Sequence, residues 1–254
     1  MKFTTLIKNK ISTDRNPVMT LISDKIRVKE YVDERVGEIG LFDHRIFAGY
    51  DLREAIEHIT PPCVMKINNS WHRMQFFYDD NYDKTQVYNK FVPWFLGKPH
   101  SSWEWAYKNI VPGIVIEKII NNNLFKGHNL FKLFVFGGRV EYIWAQRYNV
   151  DTGRIGLIGA TMYDREWHNQ NVGWTTTDQP EFGRPICLSQ IIEISEALTR
   201  ETPKKISEYA RIDIYCNNEK LLFSEMTHYH GGGTQGFNPP EFDEVLGAAW
   251  EAVK

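Results

Sequence analysis

The chain has 254 residues, 42% of them hydrophobic, enough to bury a sizeable core in one large domain or two small lobes. A net charge of −2 argues against nucleic acid or an anionic membrane surface as the main partner. No apolar run approaches the roughly 18 residues of a membrane-spanning helix, and the opening MKFTTLIKNKISTDRNP lacks the apolar core of a signal peptide. Cys63, Cys187 and Cys216 lie far apart without metal spacing and read as small buried hydrophobes in a reducing cytoplasm.

In chain order, Pro17 marks an extended approach to a helix over residues 24–36, capped by Ser23 or Asp24 and closed by Gly37. Ile26, Val28, Tyr31, Val32 and Val36 form its apolar stripe. A shorter helix over 51–59 is capped by Asp51 and ended by Pro61-Pro62. CVMKIN then reads as a buried strand with one charge, Lys66, an ammonium that is paired, faces a cavity or snorkels outward from an edge. A helix follows around 83–96. IVIEKII is a second buried strand, interrupted only by Glu117-Lys118, and Asn121 to Asn123 end it as a loop.

LFKLFVFGGRVEYIWAQRYN reads as two strands turning at Gly137-Gly138, with Lys132 in the first and Arg147 at the end of the second. Residues 151–184 read as irregular loop with short strands. The clearest helix spans 187–200, and EFDEVLGAAWEAVK after Pro239-Pro240 makes the last.

The residues 211–233, RIDIYCNNEKLLFSEMTHYHGGG, read as two strands joined by a turn at Asn217-Asn218. Arg211 and Asp213 share one face of the first strand; Glu225 and Thr227 share one face of the second. Such a hairpin sets Asp213 beside Glu225, with Arg211 and Thr227 close by. Two carboxylates that near each other repel unless a cation lies between them, and oxygen ligands of this kind suit magnesium or manganese. Gly231 to Gly233 then let backbone approach a ligand closely or offer N–H groups to an anion. The same spacing also makes a plain edge-strand ion pair, and three glycines also make a plain loop. The hairpin alone leaves both readings open.

Six blocks carry a resemblance: DRNPVMTLISDKIRVKEYV, VMKINNS, EWAYKNIVPGIVIEKII, FKLFVFGGRVEYI, MYDREW and RIDIY with LLFSEMTHYHGGGTQGFNP. Together they resemble the ATP-grasp enzymes, and within them the TupA-like group associated with teichuronopeptide and polysaccharide biosynthesis. The resemblance implies an α+β ATP-grasp fold, two α+β lobes sandwiching ATP, with a reduced N-terminal segment. It implies a helical segment over 1–59, an N-terminal lobe over 60–117 and a C-terminal lobe over 118–254 carrying the metal site.

By resemblance, Lys25 and Lys66 reach the phosphates, Lys66 with a catalytic role as well. Glu117, with the backbone of Lys118 and Ile119, reads the adenine, and Lys132 is a further basic contact near the nucleotide. Asp213 and Glu225 match the magnesium carboxylates, with Thr227 where many relatives carry Asn. Arg211 matches the catalytic arginine that steadies the transferring phosphoryl group. The loop Asn68–Arg73 lacks the glycines of its counterparts, and Asn122 or Asn123 stands where an acid usually takes the ribose.

The implied activity is ATP-dependent carboxylate–amine ligation through an acyl phosphate. The implied substrates are a small-molecule or saccharide carboxylate, such as a uronic acid, and an amine. Arg147, Arg154, His228 and His230 are the candidates for holding the acceptor. A kinase on the same scaffold, a glycosyltransferase and a non-catalytic binding module are the alternatives. The chain lacks the Asp-x-Asp that glycosyltransfer commonly uses, and it keeps both lysines, both carboxylates and Arg211.

Overall fold

The computed structural model describes residues 1–98, 104–120, 129–149, 156–174, 179–200, 204–216 and 220–254. They form an α+β chain that divides into two compact units. One comprises Arg15–Glu34 and Gly40–Ile120; the other comprises Met1–Asp14, Arg35–Ile39 and Asn121–Lys254. The first 59 residues therefore make no segment of their own, because residues 1–14 join the core of the unit that ends the chain.

The first unit is built on a four-stranded antiparallel sheet, order β1-β4-β2-β3, from β1 (Arg45–Gly49), β2 (Cys63–Ile67), β3 (Met74–Phe77) and β4 (Ile114–Lys118). Alternation decides which side is covered. Cys63, Met65 and Ile67 of β2, with Ile114 and Ile116 of β4, pack against Leu52, Ala55 and Ile56 of α4 (Leu52–Glu57) and Val87 and Phe91 of α5 (Lys84–Leu96). Lys66 and Glu117 are left on the sheet's other face. Asp51 and Asp83 cap these helices, each accepting two backbone N–H groups.

The helix expected over 24–36 is α3 (Val28–Val36), and a separate helix, α2 (Pro17–Ser23), stands where an extended approach is expected. Pro17 sits in the first turn of α2, where its missing N–H costs nothing, and Asn16 caps it. Lys25 thus lies in the turn before α3, not at a helix start.

The second unit carries a five-stranded antiparallel sheet, order β7-β6-β5-β8-β9. Its strands are β5 (Asn129–Phe136), β6 (Arg139–Asn149), β7 (Gly156–Asp164), β8 (Ala210–Cys216) and β9 (Leu221–Thr227). β7 is a nine-residue strand where the sequence suggests irregular loop with short strands. Its glycines weaken the strand signal, but pairing with β6 from Tyr142↔Asp164 to Asn149↔Gly156 supplies the ladder.

Helices α1 (Phe3–Thr13), α6 (Leu188–Ala197), α7 (Lys204–Ser207) and α8 (Phe242–Glu251) complete this unit. Phe3, Leu6 and Ile7 of α1 and Phe242, Leu246 and Trp250 of α8 share one core with Phe134, Phe136 and Trp144 of the sheet. Cys187, just before α6, and Cys216, at the end of β8, are joined in a disulfide, so the reading of three separate thiols is corrected. The chain between them folds back on itself, a proximity that a sequence separation of 29 does not announce. Cys63 is free and buried.

Candidate active site

On the five-stranded sheet, β8 and β9 pair so that Arg211 faces Thr227 and Asp213 faces Glu225. β5 on the other side sets Lys132 opposite Asp213. Alternation brings Lys132, Arg211, Asp213, Glu225 and Thr227 to one face. The cation expected between the carboxylates is a side chain: Arg211 Nη2 lies 2.8 Å from Asp213 Oδ2 and 2.7 Å from Glu225 Oε1. Arg211 Nε adds a second bond to Asp213 Oδ1 at 2.6 Å, and Lys132 Nζ reaches Asp213 Oδ2 at 2.9 Å. Thr227 Oγ1 donates to Glu225 Oε1 at 3.0 Å.

Burial works against the charge of Arg211, but Asp213 and then Glu225 outweigh it and raise its pKa further. Asp213 is closed off from solvent, whereas the Glu225 side chain is 41% exposed and reachable.

Two residues of β6 on this face escape the sequence reading. Trp144 pairs with Lys132, so Gln146 and Tyr148 continue the same side. Tyr148 donates to Gln146 Oε1 at 2.9 Å, and Gln146 is fully buried. Burial, then the negative charge of Asp213, pushes the Tyr148 hydroxyl up to about 12. Their spacing of two on a strand that also carries Lys132's partner is the signal that could have found them. Arg147, between them, points to the opposite face, with its guanidinium 5.0 Å from the Phe182 ring centre. It is therefore separated from the carboxylates by the sheet.

The other acceptor candidates fare differently. Arg154, Asn122, Asn123 and the Asn217-Asn218 turn lie outside the described residues. His228 is 2% and His230 1% exposed, so neither is on the surface. His228 Nδ1 lies 3.1 Å from the Tyr209 carbonyl; burial, then the charge of Lys10, pushes its imidazole down to about 3.

Gly231, Gly232 and Gly233 follow directly after His230. All three have positive φ, and a Cβ on Gly233 would stand 2.9 Å from the Thr4 carbonyl of α1. The run turns the chain tightly against α1.

On the four-stranded sheet, Lys66 Nζ lies 2.5 Å from Glu117 Oε2, and His44 Nε2 lies 3.5 Å from Glu117 Oε1. His44 is a further residue that the sequence reading misses. Burial opposes the Glu117 charge, yet Lys66 and then His44 hold its carboxyl well below the usual range. The lysine that looks anomalous in an apolar strand is thus paired.

The Lys118 N–H donates to the His44 carbonyl at 2.7 Å and the Ile119 N–H to the Pro62 carbonyl at 3.2 Å. Of these two residues' backbone groups, only the carbonyls are left to read a base. Lys25 Nζ donates to the Ser70 carbonyl at 2.7 Å. Asn68, Asn69 and Ser70 are buried, and Asn68 bridges Asp24, Val111 and Gly113. That half of the loop is buried and hydrogen-bonded to its surroundings.

The donor chemistry fits a hard divalent cation. Asp213 and Glu225 face each other on adjacent strands, and two carboxylates completed by phosphate and water oxygens are what magnesium takes. No group of three or more His, Cys, Asp or Glu among the described residues is placed to hold a metal ion.

Two antiparallel sheets, each carrying a lysine–carboxylate ion pair on one face, make this an α+β protein. Residues 2–251 match the TupA-like ATP-grasp family, and the chain belongs to it. Among solved structures, it is similar to a D-alanine–D-alanine ligase from Bacillus anthracis, at 16% identity and a TM-score of 0.48 over 92% of this chain and 64% of that one. A D-alanine–D-alanine ligase from Helicobacter pylori matches at 12% identity and a TM-score of 0.49, over 92% and 59% of the two chains. The ATP-grasp ligase PsnB, complexed with a minimal precursor, matches at 10% and 0.46, over 93% and 62%. The chain thus spans less than two thirds of the length of each of these structures. No curated protein matches its sequence.

Proposed function

We propose that the protein is an ATP-dependent carboxylate–amine ligase working through an acyl phosphate. The observation that carries this reading is the paired charge on the five-stranded sheet, where Lys132 and Arg211 balance Asp213 and Glu225 on one face. Lys25 and Lys66 are nucleotide contacts in the first unit, and Lys132 and Arg211 act on phosphate charge in the second. Glu117, Lys118 and Ile119 are the adenine contacts, the latter two through their carbonyls. Asp213 and Glu225, with Thr227 as a weaker third ligand, would hold magnesium or manganese, whose charge would offset that of the phosphate oxygens.

In the first step a carboxylate oxygen of the acid attacks the γ-phosphorus and the bond to the β–γ bridging oxygen breaks, releasing ADP. Arg211, fixed by Asp213 and Glu225, presents its positive charge to the oxygens of the moving phosphoryl group. In the second step the amine attacks the acyl carbon, phosphate leaves and the nitrogen loses a proton to form the amide.

The state of the two histidines favours a carboxylate over a hydroxyl acceptor. A hydroxyl has to surrender a proton, and a His228 imidazole with its pKa near 3 is a poor base at neutral pH. A carboxylate is already ionised.

The acid we propose is a sugar acid or a cell-surface polysaccharide or capsule precursor, the amine a small molecule, and the compartment the cytoplasm. No nucleic acid is involved. The test is to supply ATP, magnesium and a panel of uronic and other acids, with hydroxylamine in place of the amine. ADP together with a hydroxamate is the expected result. A stable phosphomonoester in its place establishes the kinase alternative.

A further inference from the structure

Arg211 has five N–H groups and no acceptor, so its contact with His230 has only one possible direction. Nη1 lies 2.8 Å from His230 Nδ1, and the imidazole accepts. A ring that accepts at Nδ1 is uncharged and carries its proton on Nε2. Its surroundings agree. His230 is enclosed by Phe3, Phe134, Trp144 and Phe237, nearly parallel to Phe237 at 10°, and its Nε2 has no hydrogen-bond partner. Burial, then the charges of Arg211 and Lys132, hold it well below the usual histidine range.

Every nitrogen of the guanidinium is therefore engaged: Nε and Nη2 by carboxylates, Nη1 by the neutral ring. We propose that His230 is a positioning residue for Arg211, an uncharged acceptor that fixes the guanidinium without consuming its charge. This rests on the reading of Arg211 given above.

The charge balance explains why a histidine suits the position. Lys132 and Arg211 already face two carboxylates, so an acid in place of His230 would leave the cluster net negative where a phosphoryl group has to be received. A neutral ring gives the same restraint at no electrostatic cost. With Gly231 to Gly233 all at positive φ, the chain turns tightly against α1 immediately after His230.

The test has a spectroscopic and a kinetic arm. In the unmodified chain, nitrogen–proton correlation spectra of the histidine rings should show His230 as the Nε2–H tautomer at neutral pH. An Nδ1–H tautomer or an imidazolium overturns the proposal, and this arm is independent of any activity.

In the kinetic arm, His230→Phe should lower kcat for ADP formation by about tenfold or more, the scale of one hydrogen bond to a charged group, with KM for ATP nearly unchanged. His230→Asn, whose side-chain oxygen can accept in place of Nδ1, should restore most of the rate. Wild-type kcat in His230→Phe, alongside a dead Arg211→Lys, overturns the positioning role and leaves the site reading standing. Wild-type kcat in Arg211→Lys removes the reading of Arg211 and the proposal with it. If His230→Phe does not fold, the ring spectrum of the unmodified chain decides.

Discussion

Lys132 and Asp213 are cross-strand partners on β5 and β8, and the ammonium of one lies 2.9 Å from Oδ2 of the other. Any divalent cation seeking Asp213 has to compete with that lysine. We expect Mn2+ alone to bind weakly and Lys132→Met to tighten its binding by about tenfold or more, since a buried carboxylate left short of positive charge seeks a cation. Free Mn2+, counted by electron paramagnetic resonance without nucleotide, is the readout. Equal Mn2+ affinity in the variant and the parent would sink this competition.

Nucleotide affinity is the natural probe of the other sheet. Lys66→Ala should weaken ATP binding by about 1–3 kcal/mol, the worth of a lost charge-assisted contact. Calorimetry reads the affinity, and circular dichroism checks that the variant is folded. Unchanged affinity in a folded variant takes Lys66 out of the site.

The partner of Lys66 predicts a pH dependence. Glu117 has an ordinary value of 4.5, and its carboxyl is held well below that in the folded chain by Lys66 and His44, against the effect of burial. The unfolded chain therefore binds the proton first as pH falls. The stabilisation is fully present above about pH 4.5 and is lost as pH drops toward the folded value. Urea midpoints of the parent and of Glu117→Gln, measured from pH 6 to pH 3, should differ by a constant amount above about pH 5 and converge below it. A gap that widens toward acid contradicts the assignment.

The hairpin at the centre of the site was legible because strand alternation is rigid. Once Arg211/Asp213 and Glu225/Thr227 are two apart on adjacent strands, a tight turn fixes which side chains meet. Helix α4 was legible through Asp51, whose cap acts locally, and Asp83 caps α5 in the same way. What alternation cannot show is that Arg211 of the same hairpin settles between the two acids, or that Lys132 arrives from β5, 81 residues away, to pair with Asp213.

The burial of the two histidines was not legible because it depends on α1, more than 200 residues earlier. β7 was hidden by its glycines, and its ladder exists only once β6 is in place. Pro17, expected to mark an extended approach, instead starts α2 with Asn16 as its cap.

The cysteines provide a count. With Cys187 and Cys216 joined and Cys63 free, the unreduced chain in denaturant should give one reactive thiol, and three after reduction. Three thiols without reduction would restore the reading of separate buried cysteines and favour a reducing compartment.

Phe3 of α1 is fully buried against Phe134, Phe136, Tyr209, Phe237 and Trp250. On a ribosome this makes Phe3 wait for residues synthesised more than 200 positions later. Residues 15–120 hold nearly all the pieces of their own unit and can close while synthesis continues. Phe3, Leu6 and Ile7 lack their full cover until Tyr209, Phe237 and α8 have emerged. Loop closure over that span is slow, so the second unit, with its carboxylate pair, is the last to mature and the one that most needs shelter from aggregation on the way.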